Sequence, residues 1–393
     1  MMNMVAAKQQ ATVIADTQSL AAFCQRLSSA PFVAIDTEFL RDKTYWPVLC
    51  LVQLAGPDEA AAIDALAEGI DLTPLFELLA NPNVIKVFHA ARQDVEIFVR
   101  MTGKVPTPLV DTQVVAMVCG FGDAASYETL ATKLAGARID KSSRFTDWSH
   151  RPLSEKQLTY ALSDVTYLRT VYEKLHAKVE KSGRAHWVED EIAILTDPNT
   201  YRADPNNAWM RLKTRSDKPR FLAVLKEIAA WREREAQARD LPRNRLVKDE
   251  TLLEIAAHPP RDVDALSRCR GLSRSFAEGK LGDGILAAVL RGLEMPESDA
   301  PKLDPRPDIP PGLGPIIELL RVLLKFHCDE YEVAQKLIAS AGDLEALAAS
   351  DNADVQALKG WRREIFGEEA LKLKHGKLAL TTAGKKVKVI ILD

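Results

Sequence analysis

Cysteine is scarce in this chain of 393 residues: five are present, Cys24, Cys50, Cys119, Cys269 and Cys328, with no Cys-x-x-Cys pair among them. A scattered and odd set excludes a disulfide framework and a structural zinc site, and fits a reducing compartment. No apolar run reaches the roughly 20 residues that a membrane span needs. The opening "MMNMVAAKQQ" lacks the basic-then-apolar layout of a secretory signal. A surplus of charge is also missing, since the formal net charge is only −3. That leaves no global attraction to nucleic acid, although opposite charges can sit on separate domains. A G-x-x-x-x-G-K-[ST] phosphate loop is absent, which excludes a nucleotide-driven motor of that type. The expectation is a soluble cytoplasmic protein with no membrane contact. It is too long for one ordinary domain, so two or three are expected.

What is present divides near residue 200. Before it, short β-rich runs ("ATVIAD", "FVAIDTEF", "VLCLVQLA", "AAAID", "NVIKVFHA") are followed by amphipathic stretches at 17–29, 72–80, 91–101, 112–120, 126–135 and 154–181. This mixture predicts an α/β domain on a mixed sheet over residues 1–205. Beyond it the β signal fades, and residues 213–294 read as four or five short helices separated by turns. Seven prolines between positions 296 and 315 predict an extended linker over 295–314. A second helical segment follows over 315–385, and then a tail, 386–393, that is either a short strand or a docked end.

The stretch "FVAIDTEFL" ends an apolar run in Asp36 and Glu38. On a strand these two side chains point the same way, about 7 Å apart. They repel each other unless they reach solvent or a cation lies between them. In "KVFHAARQDVEIF" a β-like run ends at His89 and a helix takes over, carrying Asp94 among apolar neighbours. In "QLTYALSDVTYL" Tyr160 and Asp164 stand at i and i+4 of a helix and share one face. Taken singly, each of these acids could simply be solvated. Together, four carboxylates from three elements are the donor set for two hard divalent ions such as magnesium or manganese, which prefer oxygen ligands. Ions placed this way suit phosphodiester hydrolysis, with a tyrosine hydroxyl orienting the water.

These three stretches, in this order and at these separations, resemble the exonuclease motifs of the DEDD superfamily. Tyr160, preceded by Thr159, matches its tyrosine branch. The longer stretches "DTEFLRDKTYWPVLCLVQLA", "DTQVVAMVCG" and "DWSHRPLSEKQLTYALSDVTYL" resemble the bacterial ribonuclease D family throughout residues 11–200. The resemblance implies a ribonuclease H-like mixed-sheet domain that removes nucleoside 5′-monophosphates from the 3′ ends of transfer-RNA precursors and other structured RNAs. It implies Asp36, Glu38, Asp94 and Asp164 as metal ligands and Tyr160 as the residue that orients water. Asp36 would bridge both ions, and Asp94 would act partly through water.

Several neighbours suit a 3′ end threaded into such a site. Phe39 and Leu40 could wedge against terminal bases. Gln53 could bond a ribose, His89 a phosphate, and Trp148 and Arg151 could supply a stacking face and a phosphate contact. Core packing is the competing account for each. Between Arg211 and Lys248 stand twelve Lys and Arg against five Asp and Glu. A basic patch for RNA is therefore expected, with Arg232, Arg234, Arg239, Arg243, Arg245 and Lys248 as candidates. The blocks "WREREAQARDLPRNRLVKDETLLEIA" and "GLSRSFAEGKLGDGILAAVLRGL" resemble the all-α HRDC domain, and residues 315–385 resemble a second, divergent copy. Such domains would hold the body of an RNA for a chain acting as a monomer. Three alternatives stay open: a DNA exonuclease of the same superfamily, a non-catalytic RNA-binding scaffold, and a basic segment that binds protein.

Overall fold

The computed structural model describes residues 12–303 and 310–392, which divide into two compact units. The first unit takes residues 12–38, 50–200 and 310–392, and the second takes 39–49 and 201–303.

The sheet of the first unit comprises β1 (Val13–Ile14), β2 (Phe32–Leu40), β3 (Val48–Ala55), β4 (Ala60–Asp64), β5 (Ile85–Phe88) and β6 (Leu109–Asp111), in the spatial order β1-β4-β3-β2-β5-β6. It is mixed, as expected. β2 pairs in parallel with β5 (Val33 opposite Lys86), β5 with β6, and β1 with β4, whereas β3 and β4 are antiparallel. Every residue of β3 except Val48 is buried, which a run apolar but for Gln53 favours in an inner strand. The predicted helices appear as α1 (Thr17–Leu27), α2 (Thr73–Ala80), α3 (Arg92–Thr102), α4 (Thr112–Val118), α5 (Tyr127–Leu130) and α6 (Glu155–Ser182). α6 starts at a Ser154–Gln157 capping box and stops at Gly183, where φ is 68°. Its buried stripe of Ala161, Val165, Leu168, Tyr172, Leu175 and Val179 keeps the helical spacing and sets which face carries the polar residues. α7 (Ala185–Thr196) follows it.

In the second unit α8 (Pro219–Arg239), α9 (Arg243–Leu246), α10 (Asp249–Ala257), α11 (Val263–Ser267), α12 (Arg274–Ala277) and α13 (Lys280–Glu294) enclose one apolar core around Leu222, Leu225, Ile228, Leu252 and Ile285. α8 and α13 meet closely because Gly292 has no side chain: a Cβ there would lie 2.5 Å from Val224 Cα.

The remaining helices belong to the first unit. They are α14 (Gly314–Glu330), α15 (Gln335–Ile338), α16 (Ala341–Ala349), α17 (Gly360–Arg362) and α18 (Glu368–Lys374). Their core is shared with α4 and α7 through Met117, Val118 and Trp187. Trp187 stacks on Trp361 at 4.2 Å between ring centroids, and Ala334 N donates to Met117 O at 2.8 Å. Residues 315–385, expected as a second helical domain, share their core with the sheet-containing part of the chain. The tail expected from residue 386 begins as a strand. β7 (Leu378–Ala383) and β8 (Lys386–Ile391) form an antiparallel hairpin that ties this tail to the segment before it. Of the proline-rich stretch, residues 304–309 lie outside the described residues, as do positions 1–11 of the predicted first domain. Among the described residues no helix is long and apolar enough to cross a membrane.

Candidate active site

Burial along β2 changes where the acids begin. Phe32 to Ile35 are buried, whereas Asp36 and Glu38 are half-buried with buried Thr37 between them. From α6, one turn after Tyr160, Asp164 reaches the same place. Carboxylate oxygens of Asp36, Glu38 and Asp164 all lie within 4.8 Å of one another. Asp94, in the first turn of α3, is 7% exposed and accepts the hydroxyl of Thr37 through Oδ1. It stands outside the tight group of three. Its charge nevertheless pushes Glu38 upward, and the charge of Asp36 pushes Asp94 upward.

The approach of α3 has its own support. Asp111 accepts Ala90 N and Ala91 N, each at 2.9 Å, and also caps α4 through Gln113 N at 2.8 Å. Ala90 is held at φ 57°, a left-handed conformation that a side chain disfavours. One carboxylate thereby fixes the strained turn from which Asp94 is presented.

Electrostatically the cluster is unbalanced. Burial, then repulsion from the other acids, pushes Glu38 up to about 10, with Arg144 opposing. Asp164 is pushed up by burial to about 7, against the Tyr160 hydrogen bond and Arg144. Asp36 and Asp94 are also held well above the usual carboxylate range, by burial first and by a neighbouring aspartate second. Such a set keeps its charge only beside cations, and its donors are all hard oxygens, so the residues fit divalent metal ions. Burial and the charges of Asp164, Glu38 and Asp36 raise the Tyr160 hydroxyl, which remains protonated as a donor to Asp164.

A cavity of about 320 Å³ opens on the cluster, lined by Asp36, Tyr160, Asp164, His89, Tyr127 and Arg144 among others. His89 Nδ1 lies 3.0 Å from Thr112 Oγ1, whose own hydroxyl donates to Phe88 O, and the ring also bonds the Ala125 backbone. Burial lowers its pKa, with Asp111 opposing, so the ring is neutral near pH 7 and brings no positive charge to a phosphate. Phe39 and Leu40 are half-buried residues of the second unit and do not line this cavity.

Three anticipated contacts are corrected. Gln53 is completely buried, opposite Ala62 in the sheet, where no ribose reaches it. Trp148 is 2% exposed and offers no free stacking face. Arg151 is engaged by Asp64 at 2.6 and 2.7 Å and by the carbonyls of Cys50, Trp148 and His150. The basic patch also splits. Arg234, Arg239, Arg245 and Lys248 are exposed, and Arg239 pairs with Glu235 at 2.7 Å. Arg232, against expectation, is 4% exposed and bound to Val247 O and Asp249. Arg243 is half-buried against Glu233 and Tyr45.

Sequence reading alone misses Asp111, Tyr127 and Arg144. Asp111 carries an N-cap signature before the helical "TQVVAMV", a signal for its local role only. Tyr127, at the start of α5, donates its hydroxyl to Ser163 O at 2.8 Å and so braces α6 beside Asp164. Arg144 follows a short 3-10 turn in a polar stretch without periodicity, and nothing local marks it.

Residues 11–180 match the model of a 3'-5' exonuclease family, and residues 221–289 match the HRDC domain. Ribonuclease D of Gluconacetobacter diazotrophicus is 53% identical, with 96% of each chain covered. That of Granulibacter bethesdensis is 50% identical over the same shares. The crystal structure of Escherichia coli RNase D, an exoribonuclease involved in structured RNA processing, superposes with a TM-score of 0.78 at 30% identity, covering 93% of this chain and 99% of that one. Sheet, acid cluster and full-length similarity agree: the chain belongs to the ribonuclease D family and is a 3′–5′ exoribonuclease.

Proposed function

We propose that this enzyme trims the 3′ ends of transfer-RNA precursors and other structured RNAs, releasing nucleoside 5′-monophosphates with two divalent cations in place. The observation that carries the reading is the convergence of Asp36, Glu38 and Asp164 oxygens within 4.8 Å, with Asp94 adjoining. Asp36, Glu38 and Asp164 would hold magnesium or manganese, with Asp94 contributing from beside Thr37. When bound, such ions lower the pKa of water and stabilise charge on the leaving oxygen.

The chain's own residues do the rest. Tyr160 keeps its proton, so it orients the attacking water by hydrogen bonding and does not act as its base. Arg144, facing Glu38 and Asp164, draws the phosphate of the terminal nucleotide toward the cluster. Asp111 and Tyr127 are positioning residues for α3 and α6. His89 bonds the strand as a neutral partner. The exposed Arg234, Arg239, Arg245 and Lys248 hold the RNA body without reading its sequence. Residues 315–385 serve as a second, divergent HRDC module. The chain works as a monomer in the cytoplasm, where its cysteines stay reduced.

The test is product analysis on a 3′-extended transfer RNA with magnesium and manganese in turn, beside a DNA oligonucleotide of matched sequence. Stepwise release of nucleoside 5′-monophosphates from the RNA supports the reading. Equal or faster hydrolysis of the DNA, or no mononucleotide with either ion, contradicts it.

A further inference from the structure

Within the second unit lies another cavity, of about 340 Å³, that the proposed chemistry does not use. Four arginines line it, Arg41, Arg211, Arg232 and Arg243, together with Tyr45 and one acidic side chain, Asp249. Three of the four share two carboxylates. Glu233, its side chain 1% exposed, takes Arg243 Nε at 2.5 Å and Arg211 Nη1 at 3.3 Å, and Asp249 takes Arg232 Nη1 at 2.7 Å. These three guanidinium groups alone outnumber the two carboxylates, so positive charge is left over in the wall.

The geometry is that of a prepared site. Arg243 is held over the Tyr45 ring at 4.7 Å while its fork remains bound to Glu233, so its orientation is fixed before any ligand arrives. Arg232 is 4% exposed, and its Nε has no hydrogen-bond partner. A buried guanidinium N–H left unmatched in the wall of a cationic cavity calls for an anionic acceptor. Guanidinium N–H groups suit phosphate oxygens as partners, and the volume lies in the range of small-ligand sites. This pocket differs from the exposed surface of α8 and α9: it is recessed, and two of its arginines, Arg232 and Arg243, are held in place.

We propose that this pocket binds a phosphate group, supplied by the backbone of an RNA or by a free mononucleotide. The proposal rests on the reading of the chain as an enzyme acting on RNA. Two variants test it with the fold kept. Arg211→Gln alters a side chain that is 54% exposed, and Asn244→Asp places a negative charge at an exposed position of the lining without removing any pair. Binding of 3′-extended transfer RNA to the full chain is measured by fluorescence anisotropy in chelator across a salt series. Thermal stabilisation by inorganic phosphate and by a nucleoside 5′-monophosphate is measured in parallel.

Each variant is expected to weaken RNA binding by about 5- to 10-fold at low salt, and Arg211→Gln to lower the salt slope by about one. That result assigns the pocket to the RNA backbone. Unchanged RNA binding with loss of stabilisation by phosphate and mononucleotide assigns it to a free anion. Wild-type behaviour of both variants in both assays overturns the proposal. If the wild-type enzyme releases no mononucleotide from the same RNA, the reading of its function fails instead.

Discussion

Tyr160 and Asp164 stand one turn apart on α6 because Ala161 and Val165 bury the neighbouring stripe, which leaves the pair facing the acids of β2. If the tyrosine orients water, Tyr160→Phe should lower kcat on a 3′-extended RNA by about 10²-fold with little change in KM. A variant with wild-type kcat would remove the residue from the mechanism. The pair was legible in the sequence because i and i+4 is a local relation, and Asp36 with Glu38 because alternation on a strand is one too. Arg151 was misread for the opposite reason. Its carboxylate partner, Asp64, is 87 positions away, and only the assembled sheet shows that the guanidinium is already engaged. Gln53 and Trp148 were misread in the same way, since a polar atom inside a buried strand or a packed indole looks the same in a sequence as one facing a cavity.

Among the elements, α8 and α13 depend on Gly292, whose hydrogen faces Val224 Cα and N. Gly292→Ala should destabilise the second unit by about 1–3 kcal/mol, since the clash is with backbone that cannot turn aside. A denaturant midpoint equal to that of the wild type would contradict this. Trp361 stacks on Trp187 and is 2% exposed, so Trp361→Ala should cost about 3–5 kcal/mol by the same measurement. Most of the elements were legible, because long periodic stretches such as α6 and buried runs such as β3 announce themselves. β6 was not, since three residues, "LVD", are too few to alternate. The docking of the helices after residue 313 onto α4 and α7 was hidden too: amphipathic faces show that a segment buries something, but not what.

For the whole molecule, a net charge of −3 conceals an acid cluster in the first unit and an arginine cluster in the second. Glu233 ties the latter together. Burial pushes its carboxyl up, but hydrogen bonds from Arg243 and Tyr45 outweigh that and hold it below its ordinary value of 4.5. A carboxyl depressed by folding stabilises the chain above its unfolded value, and the stabilisation is lost as pH falls through the lower folded value. Thermal melts should therefore show wild-type stability declining on acidification below about pH 4.5. Glu233→Gln, already weaker at pH 7 by about 3 kcal/mol, should decline less steeply. Parallel declines would contradict the assignment.

The central claim is that the half-buried carboxylates at the end of β2 and on α6 carry the hydrolysis. It is tested most directly by Asp36→Asn, assayed for release of nucleoside 5′-monophosphates from a 3′-extended transfer RNA in magnesium, at protein concentrations that saturate the RNA. The account predicts a loss of at least about 10³-fold in turnover with RNA affinity within about twofold of the wild type. Turnover undiminished at equal RNA occupancy would contradict it.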